Sequence, residues 1–127
     1  MPVNELNHYN LCVPAAQQAR LIEFYERVLG FEFRQNGRLL WLWRGSRPLV
    51  HLTVLPEGAA PASAAGVIDH IAFSCVDLAA MRARFEALSL DFRLRPYPEM
   101  GFTQVVLHDP VGLKIELNFA GEYPDPG

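Results

Sequence analysis

Two cysteines in 127 residues are too few for a disulfide framework, and Cys12 and Cys75 share no C-x-x-C spacing. Both are expected as reduced thiols. No apolar run approaches the ~20 residues of a membrane span. Met1-Pro2-Val3-Asn4-Glu5 also lacks the charge and hydrophobic order of a signal peptide. A cytoplasmic location without a membrane partner is therefore expected. Basic excess is missing too: Lys and Arg number 11 against 14 Asp and Glu, giving a net charge of −3 and a pI near 5.7. No nucleic-acid partner is expected from such a balance. With half the residues hydrophobic and 20% charged, the chain has a globular composition and enough length for one domain with a real core.

What is present is a repeat. The segment Leu6-Asn7-His8-Tyr9-Asn10-Leu11-Cys12-Val13 resembles Ile68-Asp69-His70-Ile71-Ala72-Phe73-Ser74-Cys75, and the two histidines lie 62 residues apart (70 − 8). Leu49-Val50-His51-Leu52 and Lys114-Ile115-Glu116-Leu117 close the two halves at an offset of 65 (116 − 51). Each half thus carries one metal-type side chain near its start and one near its end. Three imidazoles and one carboxylate at repeat-equivalent places are the ligand set of a divalent-metal site.

Each half reads as strand, helix, then three strands. In the first, residues 6–13 alternate as a strand, and Leu21, Phe24, Tyr25, Val28 and Leu29 recur at helical spacing over 15–29, with Gly30 as a stop. Strands are predicted over 31–34, 39–43 and 49–55, punctuated by the hairpin signal Asn36-Gly37 and by Gly45-Ser46-Arg47-Pro48. The second half repeats the order. A strand spans 67–76 and a helix 78–88, opened by Asp77 as N-cap, before strands over 92–94, 102–107 and 113–119. Asp109-Pro110-Val111-Gly112 is a turn with Pro suited to its second position. The predicted plan is one domain over 1–127: module one over about 5–55, an Ala/Pro/Gly-rich linker over 56–66, module two over about 67–119, and a tail over 120–127.

Alternation assigns the strand faces. His8, Asn10 and Cys12 oppose Tyr9, Leu11 and Val13; His70, Ala72 and Ser74 oppose Ile71, Phe73 and Cys75. In the last strand Lys114, Glu116 and Asn118 oppose Leu113, Ile115, Leu117 and Phe119. The oily face suits packing under helices, and the polar face carries every candidate ligand. Cys12 lies about 13 Å along the strand from His8, too far to join its coordination shell.

These residues, with Glu23-Phe24-Tyr25-Glu26-Arg27-Val28-Leu29-Gly30-Phe31 and His108-Asp109-Pro110-Val111-Gly112-Leu113, resemble the vicinal oxygen chelate superfamily. That group includes glyoxalase I, extradiol dioxygenases, methylmalonyl-CoA epimerase and fosfomycin resistance enzymes. The likeness runs from about Leu6 to Phe119. It implies an α+β fold of two tandem βαβββ modules whose curved mixed sheets surround a central site, usually within a homodimer. It also implies a divalent ion (Zn, Ni, Fe, Co or Mn) held by His8, His51, His70 and Glu116. His8, His70 and Glu116 match the ligand trio of the dioxygenase and fosfomycin branches. His51 departs from glyoxalase I, which has a carboxylate there, and from the epimerase, which has an amide. The tyrosine of the ring-cleaving enzymes falls near Val106, their second acid-base histidine near Gly101, and the hydroxyl residue of the fosfomycin enzymes on Asn10.

His51 is thus either a fourth ligand or an acid-base group beside a facial triad, and Glu116 and His51 are the candidate catalytic bases. Asn10, Trp41 and Tyr97 are candidate substrate contacts. Trp41, Trp43 and Tyr97 are either pocket walls or core aromatics. The segment 96–101 is either a lid or a plain surface loop. Arg38, Arg44, Arg47, Arg93, Arg95 and Lys114 are either binders of an anionic substrate tail or scattered surface charge. His108, at the start of the final turn, is expected to be exposed. The leading expectation is a metal-dependent isomerase or lyase of glyoxalase type, acting on a small molecule chelated through vicinal oxygens. An Fe(II)-dependent extradiol-type dioxygenase and a non-enzymatic small-molecule binding or resistance protein are the alternatives.

Overall fold

Eight strands and two α-helices form from alternating and 3.6-periodic sequence in the computed structural model, which describes residues 6, 8–59 and 70–125. The expected linker beyond 59 and the start of the expected strand at 67–69 lie outside the described residues. The chain divides into two compact units, Met1–Ala62 and Ser63–Gly127, each taken by itself below.

In module one, β1 (Tyr9–Pro14) runs into a 3₁₀ turn (Ala15–Gln17) and α1 (Gln18–Arg27), followed by β2 (Glu32–Asn36), β3 (Leu39–Arg44) and β4 (Arg47–Leu55). The sheet order is β1-β4-β3-β2, parallel between β1 and β4 and antiparallel elsewhere. The helix starts three residues later than its apolar spacing suggests, because the chain leaves Pro14 through the 3₁₀ turn. It ends at Arg27, two residues short of the expected 29, and a turn leads to Gly30. Gly30 has φ +76° and its N–H bonds the Glu26 carbonyl, the single bond of an αL cap, while the Phe31 N–H reaches back to the Tyr25 carbonyl. Leu11, Val13, Leu42, Val50 and Leu52 on the sheet and Leu21, Phe24 and Tyr25 on α1 are buried. Each such side chain contributes about 1.5–3 kcal/mol of transfer energy. The hairpin loop is Gly37–Arg38, one residue later than expected, since Asn36 pairs with Leu39. Arg47 and Pro48 belong to β4 rather than to the turn.

Module two repeats the plan with β5 (His70–Cys75), α2 (Leu78–Ala87), β6 (Arg93–Tyr97), a 3₁₀ turn (Pro98–Met100), β7 (Phe102–His108) and β8 (Lys114–Ala120), in sheet order β5-β8-β7-β6. Asp77 caps α2 as expected, accepting from the Ala80 N–H at 3.2 Å. Residues 96–101, expected as a lid or a plain surface loop, begin instead inside a strand. Pro96 and Tyr97 extend β6, paired with Thr103 and Phe102, and Gly101 at φ +84° ends the turn that follows. β6 is an edge strand, where a proline without a ladder N–H is tolerated; that proline made the strand look shorter in sequence. The fold is therefore α+β, two tandem βαβββ modules with four-stranded mixed sheets. Among the described residues no helix is long and apolar enough to cross a membrane.

Candidate functional site

Strand register gives each module one row of side chains running across its polar face. In module one the row is Asn10–His51–Trp41–Arg34, from β1 through β4 and β3 to β2. In module two it is Ala72–Glu116–Val106–Arg93. His8 stands two residues before Asn10 and His70 two before Ala72, so the pairing reproduces the repeat read from the sequence. His51 corresponds to Glu116, Trp41 to Val106 and Arg34 to Arg93.

In module one His51 lies between two rings. Its centroid is 3.8 Å from that of His8, with planes 12° apart, and 4.5 Å from that of Trp41, with planes 15° apart. Its Nε2 is 3.0 Å from the Pro48 carbonyl oxygen. A carbonyl only accepts, so Nε2 carries the proton and Nδ1 keeps the lone pair. Burial pushes the His51 pKa below its usual 6.5, aided by the neighbouring His8 and opposed by the Pro48 bond. Around the pair, Thr53 donates to Asn10 Oδ1 at 3.2 Å, and the Asn10 amide faces Cys12 Sγ at 3.9 Å. Further along the row Arg34 is committed. It forms a two-bond pair with Glu32 at 3.2 and 2.9 Å and stands 4.6 Å over the Trp43 ring. The hydrogen bond from Arg34 and its charge hold the Glu32 carboxyl below its ordinary value.

In module two Glu116 is the hub. Its Oε1 accepts from Gln104 Nε2 at 3.0 Å and faces His70 Nε2 at 3.4 Å, while Oε2 faces Lys114 Nζ at 3.7 Å. The Gln104 amide also donates to Asn118 Oδ1 at 3.2 Å. Glu116 keeps 14% of its side-chain exposure and His70 keeps 39%. Asp109 sets up β8 from below: its buried Oδ1 accepts the N–H groups of Val111 and Leu113 at 3.0 Å each, closing the turn that feeds Lys114 and Glu116. A cavity of about 410 Å³ opens on this face, lined in part by Arg93, Arg95, Gln104, His108, Lys114 and Glu116. Trp41 and Asn10 both flank His51, on opposite sides of its row. Tyr97 is not on the cavity lining and instead packs on Phe102 at 5.5 Å. His108 is exposed, and it borders the cavity.

The donors differ in how they fit an ion. The 3.4 Å between His70 Nε2 and Glu116 Oε1 suits two donors each about 2.1 Å from one ion. His8 and His51 are nearly parallel, so an ion in the plane of one ring lies well outside the plane of the other. As they stand they do not ligate one ion together. Each module brings together a pair, and among the described residues no His, Cys, Asp or Glu completes a group of three. Gln104 went unnoticed in the sequence. The signal was there: it is a lone amide on the polar face of a strand that continues Val105-Val106-Leu107.

A family model, the Glyoxalase/Bleomycin resistance protein/Dioxygenase superfamily, matches residues 5–117, and the chain belongs to that superfamily. No curated protein matches the sequence. Among solved structures, a glyoxalase family protein from Bacillus anthracis is 18% identical with a TM-score of 0.71, covering 93% of this chain and 96% of its own. A fosfomycin resistance protein from Listeria monocytogenes is 17% identical with a TM-score of 0.69, covering 93% and 94%. A lactoylglutathione lyase from Agrobacterium tumefaciens is 20% identical with a TM-score of 0.62, covering 94% and 96%. At these identities the likeness concerns the fold.

Proposed function

We propose that the chain is a divalent-metal-dependent enzyme of glyoxalase type, isomerising or cleaving a small molecule that presents two neighbouring oxygens. The observation that carries this reading is the repeat-equivalent pairing of His8 with His51 and of His70 with Glu116 on polar sheet faces. His8, His70 and Glu116 are the proposed ligands, the donor chemistry of a two-histidine, one-carboxylate site. When bound, a divalent ion there supplies Lewis-acid stabilisation to oxygens that gain negative charge.

His51 is assigned a different task. With its proton fixed on Nε2 by Pro48 and its pKa lowered, it stays neutral near pH 7 and offers Nδ1 as a proton acceptor. Its stacking on His8 and Trp41 fixes the plane in which that lone pair points. Gln104 and Lys114 meet the two oxygens of Glu116 and orient its carboxyl group, as groups that support a metal ligand do. The reading takes a small molecule as partner, without nucleic acid or membrane, in a cytoplasmic homodimer of the family's kind.

Elemental analysis of protein purified without chelators or a metal-affinity tag tests it. Near-stoichiometric metal is expected in the wild type, retained in His51→Ala and lost in His8→Ala, His70→Ala and Glu116→Gln. Full metal in Glu116→Gln and His70→Ala would sink the ligand assignment. No uptake of any ion on reconstitution would turn the chain toward a small-molecule binding protein on the same fold.

A further inference from the structure

We infer that the module-two cavity is built for an anionic substituent of the substrate, a carboxylate or a phosph(on)ate, held by Arg93 and Arg95. As a statement about substrate this rests on the reading of His70 and Glu116 as the reactive end of the site. The duplicated scaffold acts as its own control. The row position of Arg93 is that of Arg34 in module one, where the guanidinium is neutralised by Glu32 and covered by Trp43. The neighbouring row position is filled by the Trp41 indole in module one and by the short Val106 in module two. Module two therefore has room where module one has aromatic rings, and the 410 Å³ opening is the result. That volume is in the range of small-molecule sites.

Charge on the lining points to the ligand's sign. Arg93, Arg95 and Lys114 face the cavity with His108, against the carboxylates Asp91 and Glu116. Glu116 is already met by Gln104, His70 and Lys114. Among the described residues neither Arg93 nor Arg95 has an ion-pair partner. As positions i and i+2 of β6 they project from the same face, with Cα atoms about 6.7 Å apart. Two guanidinium forks at that spacing can both engage one oxyanion, which they match bidentately. β6 lies two strand spacings from β8, about 9.6 Å, so the anionic group would bind to one side of Glu116 across Val106.

The test is a ¹H–¹⁵N titration of the full chain with acetate, inorganic phosphate and methylphosphonate, alongside neutral acetamide and dimethyl methylphosphonate. Saturable shifts at Arg93, Arg95 and Gln104 are expected from the anions alone. Loss of one charge-assisted contact should weaken binding about tenfold in Arg93→Gln or Arg95→Gln. Arg34→Gln should leave it unchanged. Both β6 side chains are exposed, so an unchanged spectrum elsewhere confirms folding of the variants. Tighter phosphate and methylphosphonate assigns a phosph(on)ate, and tighter acetate a carboxylate. Equal response to the neutral analogues, no saturable binding, or equal loss in Arg34→Gln overturns the inference. Glu116→Gln separates the two readings. It should keep or strengthen anion binding while losing metal; if it keeps metal as well, the metal reading fails and the anion site stands.

Discussion

Gln104 donates to Glu116 across two adjacent strands, β7 to β8, through a 3.0 Å bond to the same oxygen that faces His70. The bond fixes which carboxylate oxygen points toward His70. Supporting hydrogen bonds of this kind are typically worth a factor of 10–100 in metal affinity. Gln104→Leu should therefore weaken Zn²⁺ or Co²⁺ binding by about that factor while melting close to wild type. A competitive chelator titration reads the affinity; an unchanged value would mean that the amide has no part in holding the ligand.

The stack of Trp41 on His51 makes the histidine's protonation visible. An imidazolium in contact with an indole quenches its emission, so tryptophan fluorescence of metal-free protein should fall on acidification with a midpoint below 6.5, the direction set by burial of His51. The stability sign follows. Because the folded pKa is lower, the unfolded chain binds more protons between the two values, and stability rises with pH through that window. The contribution is complete above about 6.5 and is lost as pH falls through the folded pKa. His51→Gln should flatten both curves. A fluorescence midpoint at or above 6.5 in the wild type would contradict the neutral assignment.

Much of this was readable from the sequence, for reasons that differ by residue. His8, His70 and Glu116 stood out because strand alternation and the repeat offsets are local properties, and both survive in the register of β1 with β4 and β5 with β8. The parallel stacking of His51 was not readable. It depends on how closely Trp41 and His8 approach it from neighbouring strands, which is a tertiary distance. Arg93 and Arg95 looked like scattered charge for a similar reason. The comparison with Arg34, already paired with Glu32, is what sets them apart: among the described residues Arg93 and Arg95 have no ion-pair partner.

Asp109 looked like an ordinary turn residue and is a structural anchor. The residue is 4% exposed, and its carboxylate accepts two backbone N–H groups. Removing an acceptor from buried donors costs about 1–3 kcal/mol each. Asp109→Ala should thus lower stability by roughly 2–6 kcal/mol in a urea titration, while Asp109→Asn, which keeps one acceptor oxygen, should lose less. Because the turn feeds β8, the alanine variant should also loosen metal binding at Glu116. Equal stability of alanine and asparagine variants would rule out the acceptor role.

Glu122 lies in the expected tail, beyond the family match at residue 117, and still belongs to the folded unit. Its two carboxylate oxygens accept the N–H groups of Asp77 and Leu78 at 3.0 and 2.8 Å, and its carbonyl accepts the Thr103 hydroxyl at 2.6 Å. A carboxylate here satisfies orphan donors at the start of α2 and meets the positive end of the helix dipole. Caps of this kind contribute about 1 kcal/mol. Glu122→Ala should therefore lower Tm by several degrees, and Glu122→Gln, which keeps an acceptor but loses the charge, by less. A chain ending at Ala120 should lose more than Glu122→Ala, because it also removes the acceptor for the fully buried Thr103. If all three variants melt with the wild type, the tail contributes nothing to module two and the cap on α2 is dispensable.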